Sequence, residues 1–196
     1  MYTDPMPARA PALPPDERRA AIIAATLPLI LERGTNISTR QIAEAACVAE
    51  GTIFSVFKDK DAVVQAVVDA ALDPAPTERE LNAIDPSLPF EDRLVEAVTI
   101  MQRRANRIWP LIASIGETHA PRPAPPDFEA LHEIVAAEEP RLRADSATAA
   151  RQLRALTWAS SNPVLFAGEP LTAREIVTVF LHGVLVDGCT HGGDGS

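Results

Sequence analysis

The 196-residue chain has only two cysteines, Cys47 and Cys189, which lie far apart and form no CxxC pair. A reduced cytoplasm fits that usage better than a disulfide framework does. Aromatic residues make up 5% of the chain, so any core must rest on Ala, Leu, Ile and Val. Such a core favours packed helices over a β-sandwich. No stretch approaches the roughly 18 nearly uncharged apolar residues of a membrane span. The opening MYTDPMPARAPALPPD lacks a basic segment followed by an apolar run, so it does not read as a secretory signal. The expectation is a soluble, cytoplasmic protein with no membrane partner. GxSxG, P-loop and GxGxxG patterns are missing too. His132 and Glu133 begin like HExxH, but the fifth residue is Ala136, so the second zinc ligand is lacking. Neither catalysis, nor a cofactor, nor a metal is expected.

Lysine is equally scarce: Lys58 and Lys60 are the only two. The net charge of −9 speaks against nucleic-acid binding when taken alone. Its distribution weakens the objection, because residues 16–72 carry only −2 and residues 73–196 carry −7. What the chain has in quantity is apolar residues, 46% of the whole, enough for a core without disulfides or metal.

Five prolines in residues 1–15 read as a flexible arm. A first helix is expected from Asp16, with Ile22, Ile23, Leu27, Ile30 and Leu31 on its apolar face and Gly34 at its end. Pro28 inside it should kink it. Ser38 and Gln41 have the spacing of a capping box and open a short helix with Ile42, Ala45 and Ala46 inward. A tight turn at Cys47, Val48 and Ala49 leads to a second short helix through Phe57. Asp59 can cap a fourth helix built on Val63, Val64, Val67, Val68 and Leu72. The run at 73–89 breaks the periodicity and reads as a junction between two units. Beyond it, a long amphipathic helix carries Leu94, Val98, Met101, Ala105 and Ile108, and Pro110 should bend or end it. Residues 119–127 read as a stiff extended connection. Helices follow near 128–137, 140–161 and 172–187. The last is apolar nearly all round, which places it in a dimer interface. The overall expectation is an all-α chain: an N-terminal three-helix helix-turn-helix domain over 16–72 and a C-terminal helical domain over 90–190.

Two short helices joined by a tight turn form a helix-turn-helix, whose second helix fits the major groove while the first sets it against the backbone. The run STRQIAEAACVAEGTIFSVFKDKDAVV also resembles the TetR family of transcriptional regulators, through Ser38, Ile42, Ala43, Ala46, Val48, Gly51, Thr52, Ile53, Phe57, Lys60 and Asp61. Three positions depart from that pattern. Cys47 stands where glycine is usual, Phe54 where tyrosine is usual, and Ala49 where a capping serine is usual. The resemblance implies a homodimer that binds a palindromic DNA operator, commonly as a repressor, and is released by a small-molecule effector.

Chemistry assigns the expected DNA contacts. Ser38 and Thr39 offer hydroxyls and amide donors to phosphates, and Lys60 adds a charge beside a helix N-terminus. Arg40 suits a guanine edge and Glu50 a cytosine amine. Thr52 and Ser55 suit base or phosphate contacts, Gly51 permits close backbone approach, and Phe54 lies on the same helix. In the second half, Met101, Ile108, Trp109, Ile112, Phe128 and Trp158 are candidates to line an effector pocket, with ordinary core packing as the alternative. The two tryptophans stand out because an indole combines apolar area with one donor. The competing reading is a helical ligand-binding or adaptor dimer that has lost DNA binding.

Overall fold

The computed structural model describes residues 14–119, 126–166 and 168–182. The expected arm (apart from Pro14 and Pro15), most of the extended connection, Cys189 and the end of the last helix lie outside the described residues. Among the described residues every regular element is a helix, as the composition implied: α1 Pro15–Arg33, α2 Thr39–Ala45, α3 Glu50–Val56, α4 Lys60–Leu72, α5 Ala75–Asn82, α6 Phe90–His119, α7 Glu129–Ala136, a 3-10 turn at Glu139–Arg141, α8 Ser146–Ser160 and α9 Ala173–His182. Among them no helix is long and apolar enough to cross a membrane.

The chain divides into two compact units: residues 1–72 with 111–121, and residues 73–110 with 122–196. The first contains four helices in its described stretch before Asp73, α1 to α4, in the order and at about the positions that the sequence pattern predicts. Pro15 opens α1 at a position whose missing N–H costs nothing, with Asp16 and Glu17 beside the positive helix end. Ile22, Thr26 and Ile30 are its buried stripe. Leu31, expected inward, is 43% exposed, because the buried positions repeat every fourth residue and Leu31 lies one step off that line. The helix runs through Pro28, whose ring is exposed. Gly34 then ends it at φ 64, ψ −150, a region open essentially to glycine alone, and donates its N–H to Ile30 at 2.8 Å. A Cβ there would stand 2.8 Å from the Ser114 carbonyl oxygen.

Ile22, Ile30, Ile42, Ile53, Phe57 and the α4 valines form the core of this unit. Leu111 and Ile115 of α6 belong to it as well. In α2 the buried pair is Ile42 and Ala43; Ala45, expected inward, is exposed.

The second unit corrects three expectations. The stretch taken for a junction contains α5, whose Leu81 is fully buried and whose Glu78 carboxylate accepts the Ala130 N–H at the start of α7, at 2.7 Å. The long helix α6 continues past Pro110, which is exposed; its helical angles fail instead at Gly116, at φ 67, ψ 177. The expected 140–161 helix begins only at Ser146, where Asp145 caps it by accepting the Thr148 N–H at 2.8 Å. Met101, Phe128, Leu131, Leu153, Ile176 and Val177 are central to the core of this unit.

Candidate nucleic-acid interface

The first unit is assembled to display one short helix. Ser38 accepts the Gln41 N–H at 3.2 Å, while the Gln41 side chain accepts the Ser38 N–H at 2.8 Å, so the expected capping box is complete. At the other end of α2, the Val48 N–H reaches the Ala43 carbonyl at 3.0 Å and the Cys47 N–H reaches that of Glu44 at 3.2 Å. This six-to-one and five-to-two pair is a Schellman turn, which needs a left-handed residue at the place Cys47 occupies. Cys47 adopts φ 53 and is exposed. Val48, next in line, packs against the core and sets the direction of the chain into α3. Ala49 then precedes α3 and offers no side-chain cap.

Ile53 anchors α3 on its inner side, and Phe57 closes it with the Arg19 guanidinium 4.4 Å from its ring centroid. The opposite side of α3 carries Glu50, Gly51, Phe54 and Ser55, all exposed, with Thr52 half-buried. Phe54 is 55% exposed, unusual for so large an apolar side chain in a unit with an adequate core. Ser38 and Arg40 are exposed at the start of α2, beside half-buried Thr39.

Several of these side chains already have partners. The Thr39 hydroxyl donates to Glu50 at 2.5 Å, linking the first turns of α2 and α3. Arg40 pairs with Glu44 at 2.9 Å across one helical turn; that hydrogen bond, then the carboxylate's charge, raises the guanidinium pKa above its ordinary value. Ser55 donates to the Thr52 carbonyl at 2.8 Å. Lys60, expected to add a charge beside a helix N-terminus, stands at the start of α4, half-buried, and donates to the Thr35 carbonyl at 3.0 Å. It ties the stretch before α2 to the start of α4. Lys58, the other lysine and not among the expected DNA contacts, is exposed. The Arg40–Glu44 spacing of four residues was the one signal that could have announced its pair.

In the second unit, the candidate effector residues are not all in one place. Met101 and Phe128 lie in the apolar core, Ile108 is buried, and Ile112 falls in the stretch that joins the first unit. Trp109 and Trp158 do meet, with ring centroids 4.4 Å apart and planes tilted by 43°. His132 is 3.1 Å from the Ser146 hydroxyl through Nε2. Among the described residues no group of three His, Cys, Asp or Glu side chains could hold a metal.

The family model for bacterial regulatory proteins, tetR family, matches residues 22–67, which span most of α1 and all of the turn between α2 and α3. These residues are a TetR-family domain. No curated protein matches the chain in sequence. Among solved structures, a TetR-family regulator from Mesorhizobium loti superposes with a TM-score of 0.65 at 16% identity, covering 87% of this chain and 98% of its own. The fatty acid degradation regulator FadR of Bacillus halodurans gives 0.61 at 17% identity, with 85% and 96% covered. The FadR of Bacillus subtilis, solved with stearoyl-CoA, gives 0.60 at 15% identity, with 85% and 99% covered. At such identities the likeness is one of fold: this chain has the fold of TetR-family transcriptional regulators. Within that fold, the three departures have distinct consequences. Cys47 takes the left-handed angle in spite of its Cβ, Ala49 leaves α3 uncapped, and Phe54 presents an aromatic face without a hydroxyl.

Proposed function

We propose that this TetR-type chain is a transcriptional regulator that binds a palindromic DNA operator as a homodimer, represses from it, and is released by a small-molecule effector. The exposed side of α3, held at its root by Ile53 and Phe57, carries this reading. A helix so presented enters a major groove, and dimers place two such helices one DNA turn apart. In this reading residues 16–72 grip DNA, with Ser38, Thr39 and Lys60 on phosphates, Arg40 and Glu50 on base edges, and Gly51, Thr52, Phe54 and Ser55 along the groove face. Arg40 and Glu50 exchange their present partners for bases on binding. Residues 90–190 supply the effector site and the dimer seam; the stearoyl-CoA complex of the Bacillus subtilis protein supports a ligand within this fold.

The pairing of Arg40, Glu50 and Lys60 inside the chain favours one competing reading, a helical ligand-binding or adaptor dimer that no longer reads DNA. Fluorescence anisotropy with DNA from upstream of the chain's own gene, against a shuffled duplex, separates the two. Selective binding with two chains per duplex is the expected result. Equal weak binding to both, followed by failure of a random-sequence selection to enrich any site, would make the adaptor the better reading.

A further inference from the structure

Trp109 and Trp158 are the chain's only tryptophans, and the second unit brings them into contact. Trp109 is half-buried, yet its Nε1 is shut off from solvent and has no hydrogen-bond partner among the described residues. An indole N–H can only donate, and a buried donor left unmet carries its full desolvation penalty. Native chains rarely leave one without a reason. The polar side chains flanking Trp158 are used locally: Thr157 donates to the Leu153 carbonyl, Ser161 to the Thr157 carbonyl, and the Asn162 side chain accepts from Val164 and Leu165. Arg154, one turn before Trp158, is held by Asp127 and by the Pro126 carbonyl. The cation nearest along α8 is therefore already matched, and an acid on the ligand would find no counter-charge in it.

We infer that the Trp109–Trp158 pair is a binding site for a planar aromatic ligand that carries an uncharged hydrogen-bond acceptor, such as a ring nitrogen or a carbonyl. Because Nε1 is closed off in the free chain, the Trp109 ring must turn to admit the ligand; its N–H then meets the acceptor, and the ligand ring lies against the two indoles, whose apolar area supplies the rest of the binding. This deepens the effector reading of the second unit and rests on it for biological meaning, though not for the binding itself.

Because both tryptophans belong to the pair, intrinsic emission of the full chain reports on the site alone. Quinoline and naphthalene are matched in shape and differ in one ring nitrogen, so calorimetric titration of each isolates the acceptor. Quinoline is expected to bind saturably, to change the tryptophan emission, and to bind roughly tenfold tighter than naphthalene, the loss that follows from one unmade buried hydrogen bond. Trp109→Phe keeps a ring and removes the donor, and should bring the two probes to within about twofold. As a check that does not depend on that variant folding, Trp158→Phe leaves a single indole N–H resonance, which quinoline should shift downfield and naphthalene should not. Equal affinities in the unaltered protein, no saturable binding of either probe, or a preference that survives Trp109→Phe would overturn the proposal; a trapped water as the only partner predicts the first of these. Quinoline binding without any change in DNA affinity would keep the site and remove its effector role, whereas failure to bind would leave the DNA reading untouched.

Discussion

Cys47 shows how one residue can work against its own turn. The Schellman geometry requires φ 53 there, a left-handed angle that costs a residue with a Cβ about 1–2 kcal/mol. Cys47→Gly is therefore expected to raise the unfolding free energy by about 1 kcal/mol, after allowing for the greater chain entropy of glycine, as read from the urea midpoint. Gly34 presents the reverse case. Its angles suit glycine, and an added Cβ would meet the Ser114 carbonyl, so Gly34→Ala should cost about 2–3 kcal/mol in the same assay. Lys60 divides its effect between fold and function. Its bond to Thr35 predicts lower stability for Lys60→Ala, and a phosphate contact predicts a salt slope smaller by about one unit on every duplex alike. An unchanged slope would leave Lys60 a structural strut, and the exposed Lys58 would be the next phosphate contact to test. Arg40→Ala should instead relax preference at one base pair, seen when single-pair operator variants are compared.

Among the elements, α2 and α3 differ in how they begin. α2 has both halves of a capping box, whereas α3 starts at Ala49 with no side-chain cap. Ser38→Ala should cost about 1 kcal/mol and Ala49→Ser should restore a comparable amount, with the second also steadying the exposed helix for DNA. The start of α8 responds to acid. The backbone N–H of Thr148 holds the Asp145 carboxyl below the ordinary aspartate range. Its stabilising contribution is thus complete above that range and is lost as pH falls through the lowered folded value. Asp145→Asn should flatten the acid limb of a helicity titration, and an unaltered limb would show that the cap does not matter there. α6 shows that a proline need not end a helix: Pro110 is exposed on it, and the helical angles fail six residues later at Gly116.

At the scale of the whole chain, each unit has its own core, and their buried residues divide as the functions proposed for them do. The first buries isoleucines and valines behind an exposed α3, and the second gathers side chains of α5, α6, α7, α8 and α9 into one core. The partly buried Phe180 and Leu181 of α9 pack against that second core, so part of the apolar circumference once assigned to a dimer seam is satisfied within the chain. Sedimentation is expected to give two chains, and a monomer at micromolar concentration would remove the two-fold operator from the proposal.

The sequence by itself determined the helical class, the capping box at Ser38, the stop at Gly34, the left-handed strain at Cys47 and the missing cap at Ala49. Each is a local matter, decided by residues within about one turn of one another, where capping geometry and backbone sterics act. Tertiary structure decided the rest. Lys60 meets Thr35 across 25 residues, Leu111 and Ile115 belong to the core of the first unit, α5 is a helix whose Glu78 serves α7, and Leu31 faces outward. The unpartnered Trp109 N–H also appears only in three dimensions. Hydrophobic period shows which face of a helix is apolar, but which distant segment covers that face, and which polar atoms it leaves unmet, follows from packing between parts of the chain that are remote in sequence.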